Sequence, residues 1–187
     1  MAAIIERIGP CKMQQRVADF NSLARSIVYQ QLSGKAAGTI FGRVLEAARC
    51  DPLTPAAVLM LDPEELRAAG LSQQKQSYIR DLAEKTRDGA VNFSQLAALS
   101  DDDVIAHLTQ VKGVGVWTVQ MLLMFALQRP DILPVADLGI RNGMQRAYGL
   151  KTPPKAKEME AIADRWRPYR SVACWYLWRS LDGPTAL

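Results

Sequence analysis

The segment QVKGVGVWTVQ (residues 110–120) places two glycines around a single valine, so the turn at 113–115 exposes almost no side chain. The apolar run VQMLLMFAL follows and predicts a helix from about 116 to 128. Bare backbone N–H groups at the start of a helix can approach an anion closely, and the helix dipole favours negative charge there. The segment therefore predicts two helices joined by a turn that either packs them together or binds a phosphate group.

Two polar side chains beside this turn favour phosphate binding. Lys112 adds a positive charge, and Thr118 adds a hydroxyl in the first turn of the second helix. Such contacts position a nucleic-acid strand without reading its bases, so binding here is expected to be independent of sequence. The residues expected at this interface are Lys112, Gly113, Val114, Gly115 and Thr118.

Size and composition fit one compact unit or two small lobes of a soluble protein. The 187 residues are 49% hydrophobic and 22% charged, with a net charge of +4. This mild basicity favours a polyanionic partner, although many housekeeping proteins share it. No basic-then-apolar leader opens the sequence and the longest apolar run is too short to span a bilayer, so we expect no membrane partner.

Three cysteines and one histidine limit the possible chemistry. Cys11, Cys50 and Cys174 lie far apart without a CxxC pair, so a disulfide framework, a zinc site and an iron–sulfur cluster all lack ligands. We expect the three thiols to be small buried side chains in a reducing cytosol. His107, the only histidine, excludes a site built on several histidines and is expected on a helix surface or supporting the hairpin.

Helical spacing of apolar residues extends over nearly the whole chain, and no convincing strand alternation occurs. Residues suited to begin a helix recur before apolar stripes, at Ser33, Thr54, Asp62, Ser72 and Ser100. The pattern predicts nine or ten helices with short connections, hence an all-α fold. The last helices are predicted from Asp137 to near Gly149, from Thr152 towards Trp166, and over 169–181.

Asp137, within LPVADLGIRNG (133–143), lies where a loop becomes a helix. The commonest role of an aspartate at this position is an N-cap. The helix dipole and the nearby N–H groups favour its anionic form. An ionised carboxylate can also stabilise the sugar cation that forms as a glycosidic bond breaks, and it can orient the attacking water. Asp137 is therefore predicted as a plain cap or as a catalytic acid.

Three further stretches complete the pattern: SIVYQQLSGKAAGTI (26–40), GLSQQKQSYIRDLA (70–83) and WRPYRSVACWYLW (166–178). Together with VKGVGVWT and LPVADLGIR, they resemble the helix-hairpin-helix DNA glycosylase superfamily, and most closely its 3-methyladenine DNA glycosylase II (AlkA-type) branch. The resemblance implies two helical lobes with the active site in the cleft between them and the hairpin at its mouth. The implied limits are about 1–30 plus 135–187 for lobe one and about 31–134, with the hairpin 109–117, for lobe two.

The resemblance also implies roles for individual residues. Asp137 matches the catalytic aspartate, and Gly113, Val114 and Gly115 match the hairpin that holds the DNA backbone. No cofactor is required, but backbone carbonyls of the hairpin often hold a monovalent cation, Na⁺ or K⁺. The carbonyls expected here are those of Thr109, Val111 and Gly113.

The QQLS loop is implied to enter the duplex, with Gln31 or Leu32 filling the gap left by a flipped nucleotide. Flipping is required because a glycosidic carbon inside stacked DNA is unreachable, and a wedged side chain offsets part of its cost. From the residues alone, an interhelix turn at Gln30–Leu32 with a buried leucine is the favoured interpretation.

Trp117 stands where a lyase-competent branch of the superfamily has a lysine. Since an indole cannot form an imine, we expect a glycosylase without lyase activity. Trp117 and Trp178 are expected to line the base pocket, where alkylated purines carry a positive charge that an aromatic face attracts. Core packing is the alternative for both, and it is the expected role of Trp166 and Trp175. Ala136 replaces a second acid that the branch often has.

The sequence thus predicts a monomeric, monofunctional enzyme of the cytoplasm or nucleus that releases 3-methyladenine and 7-methylguanine from double-stranded DNA. One alternative is a non-catalytic helix-hairpin-helix module that binds damaged DNA, although an intact Asp137 at the head of a helix favours the enzyme. Another is an enzyme for deaminated or etheno bases, since the shape of the pocket decides the lesion.

Overall fold

The computed structural model describes residues 1–181. Within this range the protein consists of helices and contains no strand, which confirms the all-α prediction. Two short 3₁₀ segments cover Phe93–Ala98 and Asp164–Trp166. The α-helices are α1 (Ala2–Ile8), α2 (Phe20–Tyr29), α3 (Gly34–Ala48), α4 (Pro55–Met60), α5 (Pro63–Ala68), α6 (Gln73–Arg87), α7 (Asp101–Thr109), α8 (Val116–Phe125), α9 (Leu138–Tyr148), α10 (Ala156–Ala163) and α11 (Arg170–Leu181).

Two compact units make up the chain. One comprises Met1–Gln15 and the described residues from Leu123 onward, and the other comprises Arg16–Leu122. The sequence also predicts two lobes with a cleft between them. That arrangement stays a prediction. None of the helices in the described range is long and apolar enough to cross a membrane.

Helix α6 is central to the unit Arg16–Leu122. It packs against α2, α4 and α5, and the fully buried Ile79 and Leu82 of α6 belong to the same core as Ile27 of α2. Burying each such aliphatic side chain stabilises the fold by about 1.5–3 kcal/mol. Because three helices pack against α6, it gives firm support to the other segments that contact it.

Helices α9 and α11 form the centre of the other unit, and α1 also packs against α11. A Cβ atom at Gly143 of α9 would lie 3.0 Å from Leu177 Cβ of α11, so the glycine permits this close approach. Trp166 and Trp175 are buried, which confirms their predicted core positions. The pairing of α9 with α11 brings the start of α9, where Asp137 caps the helix, against the side chain of Trp178.

The predicted helix starts are confirmed by their capping hydrogen bonds. At each of five starts a side-chain oxygen accepts the backbone N–H three residues ahead, and these caps are Ser33, Thr54, Ser72, Ser100 and Asp137. Asp62 also precedes its helix, where Glu65 accepts the Asp62 N–H at 2.8 Å.

Two predicted helix boundaries are wrong. The helix expected from Thr152 begins only at Ala156, because Pro154 disfavours a helical conformation at Pro153. Lys155 occupies the N-cap position, where its backbone N–H donates to Glu158 Oε2 at 2.7 Å. Helix α8 ends at Phe125 rather than near 128. The short α1 was not predicted.

The cysteines differ from the expectation that all three are buried. Cys174 is buried in α11, but Cys50 is partly exposed and Cys11 is exposed. Cys11 lies in the segment between α1 and α2, which forms no helix and leaves this side chain exposed. All three thiols are free.

Candidate functional site

Asp137 is held at the head of α9 by two hydrogen bonds to one carboxylate oxygen. Its Oδ1 accepts the backbone N–H of Ile140 at 2.8 Å and the indole Nε1–H of Trp178 at 2.9 Å. The side chain is largely enclosed, with the residue 9% exposed. The structure thus confirms the cap, and a cap fixed in this way also gives the carboxylate a single orientation for chemistry.

Gly139 leaves the space that this arrangement requires. A Cβ atom there would lie 2.8 Å from Trp178 Cδ1 and 3.1 Å from Asp137 Oδ1. The sequence interpretation missed this residue. Its signal was a glycine in the first turn of a helix, where glycine is disfavoured unless something approaches the backbone closely.

Trp178 is oriented by a second aromatic residue as well as by Asp137. Its ring stacks on Phe125 with centroids 5.8 Å apart and planes inclined by 28°. The indole is therefore fixed between a ring and a carboxylate, and it positions the acid. Its predicted contact with a flipped base stays a prediction.

The Cys174 thiol lies in the same unit but is unsuited to chemistry. Burial, and secondarily the negative charge of Asp137, raise the pKa of Cys174 far above its usual value. The thiol stays protonated, so it is a packing group rather than a nucleophile.

The glycine turn of the other unit joins α7 to α8 and rests on α6. Gly113 has φ of 76°, and a Cβ there would lie only 2.1 Å from Tyr78 Cδ2, so no other residue fits. The Val114 side chain is buried, and its N–H donates to the carbonyl of Val111 at 3.1 Å. Val114 therefore anchors the turn and does not offer its own N–H to a ligand.

Two backbone donors at the start of α8 remain for an anion. Within the described range, the N–H groups of Gly115 and Val116 donate to no protein acceptor. A Cβ at Gly115 would meet nothing within 4 Å, which shows that this backbone is open to approach. The geometry fits a phosphate oxygen at the N-terminus of the ten-residue α8.

Lys112 and Thr118 differ in how accessible they are. The Lys112 side chain is 65% exposed, with Nζ 3.8 Å from Asp81 Oδ1, and its backbone N–H donates to Asp81 Oδ2 at 2.9 Å. Thr118 is only 8% exposed, so its hydroxyl has little surface to offer a phosphate. Both DNA contacts stay predictions, and accessibility favours Lys112.

Asp81 ties the hairpin to α6. Burial would raise the pKa of Asp81, but hydrogen bonds from Lys85 Nζ and the Lys112 N–H, with the charges of both lysines, hold it below the usual range. Lys85 Nζ lies 2.6 Å from Asp81 Oδ1. The ionised carboxylate thus fixes the chain just before Gly113.

His107 has a structural position on α7. Its Nε2 accepts the backbone N–H of Asn92 at 3.0 Å, which supports the loop before the 3₁₀ segment Phe93–Ala98. The side chain of His107 therefore has a structural role, as expected, but the segment that it supports is the loop at Asn92.

The QQLS loop between α2 and α3 is exposed. Gln31 adopts φ of 58°, and Leu32 is 40% exposed. The segment does join α2 to α3, as the alternative expected, but its buried leucine is wrong because Leu32 is exposed. Trp117, the second residue of α8, is 43% exposed, which leaves its ring accessible.

Two of the three hairpin carbonyls expected to hold a monovalent cation are partly engaged, and the cation stays a prediction. The Val111 carbonyl accepts the N–H of Val114, and the Gly113 carbonyl accepts Gln30 Nε2 at 2.8 Å. Since a carbonyl oxygen carries two lone pairs, each retains one for a further ligand. Residues 1–181 contain no group of three or more His, Cys, Asp or Glu side chains that could hold a metal ion.

Comparison with known proteins places these features in a family. The model of the HhH-GPD superfamily base excision DNA repair protein matches residues 24–168. A Schizosaccharomyces pombe protein named DNA-3-methyladenine glycosylase 1 is 34% identical over 182 residues, covering 96% of this chain and 80% of that protein. Two further curated relatives, 32% and 29% identical, are spanned over 66% and 86% of their lengths.

Solved structures give the same result. The DNA-3-methyladenine glycosidase of Bacillus halodurans superposes with a TM-score of 0.87 at 37% identity, covering 96% of this chain and 82% of that one. The 3-methyladenine DNA glycosylase of Schizosaccharomyces pombe, in complex with abasic DNA, superposes with a TM-score of 0.82 at 33% identity, covering 96% and 89%.

Proposed function

Because the chain belongs to the HhH-GPD superfamily of base excision DNA repair proteins, we propose that it is a DNA glycosylase. Its substrates are alkylated bases of the 3-methyladenine and 7-methylguanine type in duplex DNA, and the reaction is hydrolysis of the N-glycosidic bond. The names of relatives matched over nearly the whole chain support this activity. The observation that carries the proposal is the enclosed, doubly hydrogen-bonded carboxylate of Asp137 at the head of α9.

Asp137 supplies the negative charge that the reaction requires. As the bond between the base and C1′ lengthens, positive charge develops on the deoxyribose, and a fixed carboxylate stabilises it. The Ile140 N–H and the Trp178 indole N–H both donate to Oδ1 and hold the carboxylate in place. Because Asp137 is largely buried, the electrostatic effect of its carboxylate is stronger than it would be in bulk solvent.

The leaving base needs little protonation. An alkylated purine already carries a positive charge, so it departs as a neutral base once the bond breaks. The accessible face of Trp117 offers cation–π attraction to such a base, and Trp178 is the second candidate. A cationic base needs no general acid to protonate it as it leaves. This agrees with the position of His107, whose Nε2 accepts the Asn92 N–H and is not used in the proposed reaction.

The proposed enzyme is monofunctional. A lyase step would require an amine that attacks C1′ and forms an imine, whereas Trp117 stands at the position where a lyase-competent branch has its lysine. Water is then the nucleophile, oriented by Asp137. The products are a free base and an abasic site in an intact strand.

Binding to DNA is proposed to use the hairpin and the QQLS loop. Phosphate contacts come from the N–H groups of Gly115 and Val116 and from Lys112, while Gln31 or Leu32 enters the base stack. A Na⁺ or K⁺ ion on the carbonyls of the hairpin would add positive charge facing the phosphate. The protein is proposed to act as a monomer, in the cytoplasm of a bacterium or the nucleus of a eukaryote.

The decisive experiment is chromatography of bases released from methylated duplex DNA. We expect the wild type to release methylated purines, and Asp137→Asn to lose activity by about a thousandfold while binding the same DNA. Glu160→Gln, the same chemical change on exposed α10, is the matched control. If the wild type binds damaged DNA without releasing a base, the protein is a binding module and the proposal fails. Strand scission, or a borohydride-trapped imine, would contradict the monofunctional assignment.

A further inference from the structure

The loop that is proposed to enter DNA has little packing beneath it. This wedge loop, residues 30–33, stands over a surface cavity of about 330 Å³. Wedge-loop residues line the cavity together with Lys75 and Tyr78 of α6 and Gly113 of the hairpin. Residues 31–33 are exposed, so the hydrogen bonds of the loop are important for its position.

Lys75 of α6 makes two of these hydrogen bonds. Its Nζ donates to the carbonyls of Val28 and Gln30, each at 2.7 Å. These carbonyls lie at the C-terminal end of α2, where the helix dipole favours a cation and the carbonyls lack partners within the helix. Desolvation lowers the pKa of Lys75, in keeping with an ammonium group drawn in from solvent. One side chain of α6 thus fixes the start of the wedge loop.

Gln30 connects the same loop to the hairpin. Its Nε2 donates to the Gly113 carbonyl at 2.8 Å, and the two residues are separated by 83 positions in the chain. Gly113 in turn rests on the ring of Tyr78, one helical turn after Lys75 in α6. Each of the three segments therefore contacts the other two: α6 bonds the wedge loop, the wedge loop bonds the hairpin, and the hairpin packs on α6.

We propose that Lys75 and Gln30 are positioning residues, which hold the wedge loop at a fixed distance from the hairpin so that stack entry and backbone binding occur together. The proposal rests on the proposed function, because it assumes that the hairpin binds a phosphate and that Gln31 or Leu32 enters the stack. A loop held in place before DNA arrives loses less conformational entropy on binding, so the open state of the duplex forms more readily.

The test compares Lys75→Met, Lys75→Arg and Gln30→Ala with Lys157→Met, which removes one exposed positive charge on α10. Two quantities are measured for each variant. One is the single-turnover rate of release of 7-methylguanine opposite cytosine and opposite thymine. The other is the fluorescence rise of 2-aminopurine placed beside the lesion, which reports opening of the stack without requiring cleavage.

We expect Lys75→Met and Gln30→Ala to slow release from the paired duplex by about tenfold, and from the mismatched duplex by less than about threefold. The fluorescence rise falls in parallel, Lys75→Arg restores both, and Lys157→Met behaves as the wild type. A purely structural role would lower the melting temperature and slow both duplexes equally, and that result overturns the proposal. If Lys75→Met does not fold, Gln30→Ala, whose side chain is partly exposed, decides the comparison.

The two proposals fail in different ways. A wild type that raises the fluorescence but releases no base overturns the glycosylase assignment, and the fluorescence of the variants still decides the positioning role. A wild type that releases base with fluorescence amplitudes equal in all variants overturns the positioning role alone.

Discussion

Trp178 and Asp137 share a hydrogen bond of 2.9 Å between Nε1 and Oδ1, on the same oxygen that caps α9. The bond joins the start of α9 to α11, the two helices at the centre of their unit. An acid that must stabilise a developing cation benefits from such a fixed orientation, because no reorganisation is needed as the charge appears. The indole is thus a positioning group for the acid, whether or not it also contacts a base.

Trp178→Phe removes the donor while keeping a ring that can stack on Phe125. We expect single-turnover base release to fall by about tenfold or more, with a loss of stability of about 1 kcal/mol. Trp166→Phe is the matched control, since it removes an indole donor that bonds Tyr148 Oη at 3.2 Å instead. Equal activity of the two variants would show that the bond to Asp137 does not orient the acid.

Gly139→Ala tests the space around the carboxylate. The added methyl group would lie 2.8 Å from Trp178 Cδ1, so the indole or the acid must move. We expect activity to fall by about a hundredfold, because small displacements of catalytic groups are costly. Gly42→Ala in α3 meets nothing within 4 Å and should stabilise its helix by about 0.5–1 kcal/mol. Full activity of Gly139→Ala, measured by base release, would contradict the assigned geometry.

Gly113→Ala tests the seat of the hairpin on Tyr78. The substitution combines backbone strain at φ of 76° with a methyl group placed 2.1 Å from the ring. Gly9→Ala is the control for strain alone, because Gly9 has φ of 78° with nothing within 4 Å. We expect Gly9→Ala to cost about 1–3 kcal/mol in stability, because φ of 78° with ψ of −159° is a conformation essentially restricted to glycine. Gly113→Ala should cost more and weaken DNA binding about tenfold by fluorescence anisotropy. Similar losses in the two variants would argue against the contact with Tyr78.

Asp81 makes stability sensitive to acid. Its pKa is held below the ordinary value of 3.8 in the folded protein, so its contribution is complete above that value and is lost as the pH falls through the folded-state pKa. We expect Asp81→Asn to be less stable than the wild type at neutral pH, and the difference to shrink in acid. Melting temperatures between about pH 3 and pH 7 measure this. A constant difference across that range would show that the carboxylate charge does not contribute.

Local signals made the helices predictable. Ser33, Thr54, Ser72 and Ser100 are short side chains before apolar stripes, and each caps its helix because that arrangement depends only on residues three apart. The boundary near Thr152 failed because two consecutive prolines delay the helix beyond an otherwise good cap. The fold class was therefore readable from the sequence, while individual ends were less so.

The site was predictable only where its residues are neighbours in the sequence. Asp137 as a cap follows from its own segment, but its bond to Trp178 spans 41 positions. Lys75 and Val28 lie 47 positions apart, and the residue spacing in neither segment predicts the hydrogen bond between them. The exposure of Leu32 and the burial of Thr118 likewise depend on packing from distant segments.

Cys11 is exposed and Cys174 is buried, so the two thiols should differ in their reactivity towards electrophiles. A cell in need of the proposed activity contains electrophiles, and these modify cysteine as well as DNA when the sulfur is ionised and accessible. Cys174 is shielded on both counts, whereas Cys11, which belongs to the same unit, is open to solvent. Brief treatment with iodoacetamide should label Cys11 and spare Cys174, so the thiol nearest the acid would escape the agents whose damage the protein is proposed to remove.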